Sequence, residues 1–199
     1  MTTKFKQGIE VTGQVTATSF SGDGSALTGV GGAATTWAAL GDKNNANGPL
    51  TVALGALTGA TNQGVTATAI GGAAGSTDQG TGAVAVGYQA GYDNQGVDTV
   101  AVGKSAGSND QGESAVAVGD SAGFDAQGAG GVGIGVEAGK TAQGVEATAV
   151  GTASGKTSQG ENATAIGSYA GNISQGVGAT AVGDRAGATS QGANTVAVG

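Results

Sequence analysis

The 199-residue chain contains no cysteine, no histidine and one proline, and only 4% of its residues are aromatic, too few of the bulky rings that an ordinary core would use. Without cysteine there is no disulfide, no thiolate chemistry and no zinc–thiolate centre, and the redox compartment is left undetermined. Without histidine the usual general base and the commonest metal ligand are missing. No apolar run approaches the ~20 residues of a membrane span. No charged-then-apolar segment of the signal-peptide kind opens the sequence, so the chain reads as soluble and made in the cytoplasm.

What is present is glycine, 43 residues of it, and a strict period. Gln-Gly recurs at Gln63, Gln79, Gln95, Gln111, Gln127, Gln143, Gln159, Gln175 and Gln191, always sixteen residues apart, without insertion or deletion. A solvated glycine-rich coil has no reason to keep apolar residues in register over nine copies, so the period signifies stacked units of a solenoid. The net charge of −7 lies wholly in the repeats, because Lys4, Lys6 and Lys43 balance Glu10, Asp23 and Asp42 before them. An acidic rod repels nucleic acid and anionic membrane, and neither is an expected partner.

In chain order, residues 1–32 form a short β-rich segment. Ile9-Glu10-Val11 and Val15-Thr16-Ala17-Thr18 alternate as strands do, and Ser21-Gly22-Asp23-Gly24-Ser25 supplies a turn. Residues 33–46 are a transition and capping coil, in which Trp37 reads as a plug for the open end of the solenoid in preference to a ligand-stacking platform. The array occupies 47–199, starting in degenerate form at Asn47-Gly48 with Pro49 beside it, and gives about ten coils. Its last coil stops after the strand at Gly199, so the expectation is either a longer natural chain or a cover for that edge.

Counting Gln as the first position, the fifth to eighth positions form a strand. The seventh is Ala except at Gly133, and the eighth is always β-branched: Ile70, Val86, Val102, Val118, Ile134, Val150, Ile166, Val182 and Val198. Alternate residues point to opposite faces. A sixteen-residue coil has a perimeter of at most roughly 55 Å, leaving a thin interior that suits methyl groups. Ala at the fifth and seventh positions would then pack against Ala at the twelfth, where Ser154 is the exception, and the Val/Ile stripe would lie outside, requiring a partner. The reverse arrangement, with Val/Ile inside a monomer, remains the alternative. The sixth position alternates between Val and Thr, which suits an interface margin. Glycines at the ninth and thirteenth positions mark corners. The Gln residues either form an amide ladder between coils or are solvated turn residues.

Two resemblances add to this. SFSGDGSALTGV, at residues 19–30, resembles segments of bacteriophage tail-fibre and other virion fibre proteins. AVAVGYQAG, TVAVGKSAG, AVAVGDSAG and ATAIGSYAG resemble the SVAIG-type repeats of YadA-like heads in trimeric autotransporter adhesins. The second resemblance implies an all-β fold, a left-handed parallel β-roll (β-solenoid) trimeric about its long axis, with the nine Val/Ile residues of the eighth position as trimer interface. The hand comes from the resemblance alone, since crossover connections commonly favour the right hand. The repeat is two residues longer than that family's usual fourteen, and no stalk coiled coil or membrane anchor is visible.

Chemistry is sparse. Asp98 with Glu113 and Glu146 with Glu161 could form carboxylate pairs across neighbouring coils, as a polysaccharide-cleaving spike would need; as solvated charges beside a turn they need no such role. Asp78, Asp93, Asp110 and Asp125 fall at two different turn positions and then stop, unlike the recurrent Asp of a calcium β-roll. The reading is therefore no enzyme, no catalytic residue, no metal and no cofactor. The tenth, eleventh and fourteenth positions vary between copies and face outward, and Tyr88, Tyr92 and Phe124 there are candidate contacts for a sugar or protein. The expected function is that of a bacteriophage virion fibre, assembled in the host cytoplasm. Residues 1–32 would attach it to other virion proteins, and a homotrimeric roll would project toward a host cell-surface glycan or protein. The alternatives are a capsid or neck fibre acting as a spacer, and a depolymerising spike.

Overall fold

The computed structural model describes residues 51–199. The readings of residues 1–32 and 33–46, the Trp37 plug and the start of the array at Asn47 and Pro49 lie outside the described residues. From Thr51 onward the chain is an all-β parallel solenoid of about nine sixteen-residue turns, with no helix among the described residues.

Each coil contributes two strands of three residues to two separate parallel sheets. The first sheet has ten strands, from Val52–Leu54 to Val196–Val198, and is built from the sixth to eighth positions. Its register advances by one repeat per strand, as in Val116↔Val132 and Val118↔Ile134. We call it the valine sheet. The second has eight strands, from Thr61–Gln63 to Ile173–Gln175, is built from the fifteenth, sixteenth and first positions, and continues as a single bridge from Ile173 to Thr189. We call it the glutamine sheet. It was not foreseen as a sheet, because T-x-Q and D-x-Q carry none of the alternating apolar pattern by which strands are recognised.

The inward faces settle the orientation of the coil. Ala at the fifth and seventh positions is fully buried, as in Ala83, Ala85, Ala115, Ala117, Ala163 and Ala165, while every Val and Ile of the eighth position retains solvent exposure. The small residues are inside and the β-branched ones outside. The seventh and twelfth positions pack together as continuous blocks, Ala69–Ala122 at one end and Ala165–Ala186 at the other. Between these blocks stand Gly133 and Ser154, and the Ser154 hydroxyl, buried in the alanine column, donates to the Gly151 carbonyl at 2.9 Å. Ala at the twelfth position lies in a turn, not in the facing sheet. What the facing sheet contributes to the interior is glutamine.

Gln63 through Gln175 are at most 5% exposed, which makes these amides the largest side chains in the core. Gln127 shows the usual rung. Its Nε2 donates to the Val116 carbonyl at 2.8 Å, the Gly131 carbonyl at 3.1 Å and Gln143 Oε1 at 3.0 Å. Equivalent rungs join Gln63 to Gln79 and run without interruption from Gln95 to Gln191. Between these runs, Gln79 bonds the Thr68 and Ala83 carbonyls, and Gln95 Oε1 is left without a donor. The ladder reading of the Gln repeat is thus the observed one, with the amide bonds inside the coil. A buried amide without partners costs on the order of 1–3 kcal/mol, so the ladder is what makes a polar core tolerable.

Three glycine columns permit this geometry. At the ninth position φ lies in the left-handed half of the map, +132° at Gly119, and a Cβ there would fall 2.5 Å from the Gly135 carbonyl oxygen of the next coil. At the second position a Cβ on Gly112 would fall 2.5 Å from the Ala129 nitrogen. At the thirteenth position a Cβ on Gly123 would occupy the space of Gln127 Oε1, at 2.6 Å. The corners also require left-handed backbone at non-glycine residues, at the fourth, eleventh and sixteenth positions of the coil, as in Asp98, Ser121 and Asn94. Asn, Asp and Ser suit two of these. The eleventh holds Gln89, Glu137, Tyr169 and Arg185, which have no such preference. There the backbone N–H donates to the tenth-position carbonyl of the preceding coil, for example Ser121 N to Lys104 O at 2.9 Å, and this bond offsets the cost of the conformation.

Candidate interaction surfaces

The rod presents four outward surfaces, and each has its own chemistry because each repeat position projects in one direction along the whole stack. The first is the outer wall of the valine sheet. Position six contributes Val84, Val100, Val116 and Val132, with Thr68, Thr148, Thr164 and Thr180. Position eight contributes the nine Val and Ile residues proposed from sequence. Ile70, Ile134, Ile166, Val182 and Val198 are exposed, and Val86, Val102, Val118 and Val150 are half-buried among their neighbours. Ten strands at ~4.8 Å make a flat β-branched wall ~43 Å long.

The second surface is the outer wall of the glutamine sheet, and it is polar for most of its length, with Ile173 exposed near its C-terminal end and Ala126 and Ala142 among its sixteenth positions. Thr61, Thr77, Thr141 and Thr157 share its fifteenth position with Asp93, Asn109 and Asp125. At the sixteenth, Asn62 donates to Asp78 and Asn94 to Asp110 across one coil, each at 2.7 Å. Among the described residues no group of three or more acidic side chains is placed to hold a metal ion.

The third surface is the corner at positions three and four, on the N-terminal side of the valine strands. Asp98, Glu113, Glu146 and Glu161 are all exposed there and none forms an ion pair among the described residues. All four lie in turns.

The fourth surface is the ridge of positions ten, eleven and fourteen, on the C-terminal side of the valine strands. It carries the three candidate aromatics. Tyr88, 58% exposed, lies against Gly72 of the preceding coil; Tyr92, on the same coil, is exposed; Phe124, two coils further on, is half-buried. Tyr169 belongs to the same ridge and stacks beneath Arg185, whose guanidinium carbon is 5.9 Å from the ring centre. The four basic residues among those described, Lys104, Lys140, Lys156 and Arg185, are all on this ridge. Lys104 pairs with Asp120 at 3.5 Å, and Arg185 with Asp184 at 3.9 Å. Lys140 and Lys156 both reach Glu137, at 2.6 and 2.7 Å, and their hydrogen bonds hold its carboxyl down at about 2 against a small opposing effect of burial. The gathering of all these bases on one ridge was missed in the sequence. Its signal was available, since each base falls at the tenth, eleventh or fourteenth position of its repeat.

Compared with protein-family models, with curated proteins and with solved structures, the chain finds no match.

Proposed function

We propose that the chain is a structural and adhesive element of a bacteriophage virion fibre, in which three copies associate through their valine sheets about the long axis. On this reading residues 1–32 attach the fibre to other virion proteins, and the left-handed trimeric roll projects toward a host-surface glycan or protein. The observation that carries the reading is the outer wall of the valine sheet. A wall ~43 Å long by ~10 Å wide covers on the order of 400 Å², apolar along the whole of its eighth position and interrupted only by Thr68, Thr148, Thr164 and Thr180 at the sixth, large enough to mark an association site. Burying a Val or Ile fully contributes about 1.5–3 kcal/mol, and each coil from Ile70 to Val198 offers one at its eighth position. The fibre assignment itself rests on the resemblance of residues 19–30 and of the repeat units. Adhesion would follow from geometry, because identical faces around a stiff shaft multiply weak contacts.

Light scattering tests the association: a multiple of the 18.4 kDa chain mass is expected, and a stable monomer would overturn it. Val118→Asp with Val150→Asp should release folded monomers, with circular dichroism unchanged. Glycan-array binding then separates an adhesin, which should bind through the ridge bearing Tyr88, Tyr92 and Phe124, from a fibre that acts as a spacer and binds nothing.

A further inference from the structure

We propose that the two flanks of the valine sheet are the complementary halves of one contact between neighbouring copies, an acidic strip on one copy meeting a basic strip on the next. This rests on the association reading above and adds what sets the direction and level of the copies.

The strips lie on opposite sides of the same wall. Positions three and four precede the valine strand and carry Asp98, Glu113, Glu146 and Glu161, exposed and without a basic partner among the described residues. Positions ten to fourteen follow it and carry four bases, Lys104, Lys140, Lys156 and Arg185, against three acids, Asp120, Glu137 and Asp184, so this strip is net positive by one charge where the other is net negative by four. Any rotation about the long axis that brings valine sheets together also brings the leading flank of one copy against the trailing flank of the next. A two-fold axis across the rod would instead set acidic strip on acidic strip and basic on basic. The charge distribution therefore favours copies that run parallel and disfavours antiparallel ones.

The levels agree as well. A sixteen-residue coil advances ~4.8 Å, so residues up to ten apart in sequence differ by about 3 Å or less along the rod. Lys104 lies between Asp98 and Glu113 on that scale, and Lys156 lies between Glu146 and Glu161, with Lys140 six residues before Glu146. A closed ring has no axial offset, so these charges meet at their own levels. The basic strip retains charge for the purpose, because Lys140 and Lys156 share the single carboxylate of Glu137, and Lys104 is 65% exposed in a long 3.5 Å pair. Arg185 has no acid opposite it and is engaged with Tyr169.

The test uses three full-length variants beside the unaltered chain, with mass measured by analytical ultracentrifugation and folding by circular dichroism. One reverses the acidic strip, Asp98→Lys, Glu113→Lys, Glu146→Lys and Glu161→Lys. One reverses the basic strip, Lys104→Glu, Lys140→Glu and Lys156→Glu. The third combines both sets and so exchanges the strips. At low salt each single reversal should weaken association at least ~10-fold, the difference shrinking near 1 M salt where screening is nearly complete. The exchanged chain should recover to within about threefold, since the pairing is reciprocal. Single reversals that leave association unchanged, or an exchange that fails to restore it, would overturn the flank contact while leaving the valine-sheet association standing. An unaltered chain that is monomeric would overturn both.

Discussion

The valine sheet and the glutamine sheet belong to the same coils and advance by the same sixteen residues, yet they are opposites through their thickness. The valine sheet is mainly apolar on both faces, with Ala inside and, outside, Val or Ile at the eighth position and Val or Thr at the sixth. The glutamine sheet is polar inside, where the amides lie, and mainly polar outside, where Thr, Asn, Asp and Ser predominate over Ala126, Ala142 and Ile173. The first has nothing left to satisfy but has water to exclude. The second must find partners for its buried amides and does so along the stack, with Gln95 Oε1 as the exception. On the proposed association, stability within the chain and association between chains would fall to different walls: the glutamine ladder binds coil to coil, and the valine wall is the one exposed for a second copy.

That division can be broken from either side. The largest effect is expected for Gln127→Leu, which removes the donor to the Val116 and Gly131 carbonyls and to Gln143 Oε1 in a closed interior. Loss of about 2–4 kcal/mol is expected, read as a lower urea midpoint, with association of whatever remains folded unaltered. Ala117→Val probes the opposite wall from within. Ala117 is fully buried between Ala106 and Ala122, and added methyls there should cost about 1–3 kcal/mol by overpacking. If Ala117→Val is neutral, the thin interior is looser than its alanine column indicates. The smallest effect belongs to the ridge between the sheets. Glu137 has a carboxyl pKa lowered from 4.5 to about 2, so its contribution is complete above the unfolded value and disappears as pH falls toward 2. Its side chain is about one-third exposed, and solvent screening keeps the pair to under about 1 kcal/mol. Glu137→Gln should therefore lower stability slightly at neutral pH and not at all near pH 2, as followed by thermal melts.

The valine sheet was legible in the sequence because its residues obey the alternation by which strands are read, and because the invariance of Ala at the seventh position implied a tight interior. The glutamine sheet was not. Its strands are three residues long, hold a left-handed residue in the middle, such as Asp78 or Ala126, and bury the one side chain that composition would place outside. The sixteen-residue spacing of Gln suggested a ladder, but only the corner conformation at Gly123 shows why the amide turns inward: a side chain there would take its place. The surface charges were visible as residues and invisible as strips, because flank and ridge separate only once positions three, four, ten, eleven and fourteen are placed around a coil.

The glycine columns carry one more consequence. A methyl on Gly119 or Gly112 would intrude to 2.5 Å on the backbone of the coil beyond it, and this demand recurs at every level of the stack. An insertion or deletion of a few residues would move a side chain into one of those slots and carry each amide out of line with the next. Whole coils can be added or removed without either fault. The rod is in that sense a ruler graduated at ~4.8 Å, and its length can change only by complete graduations.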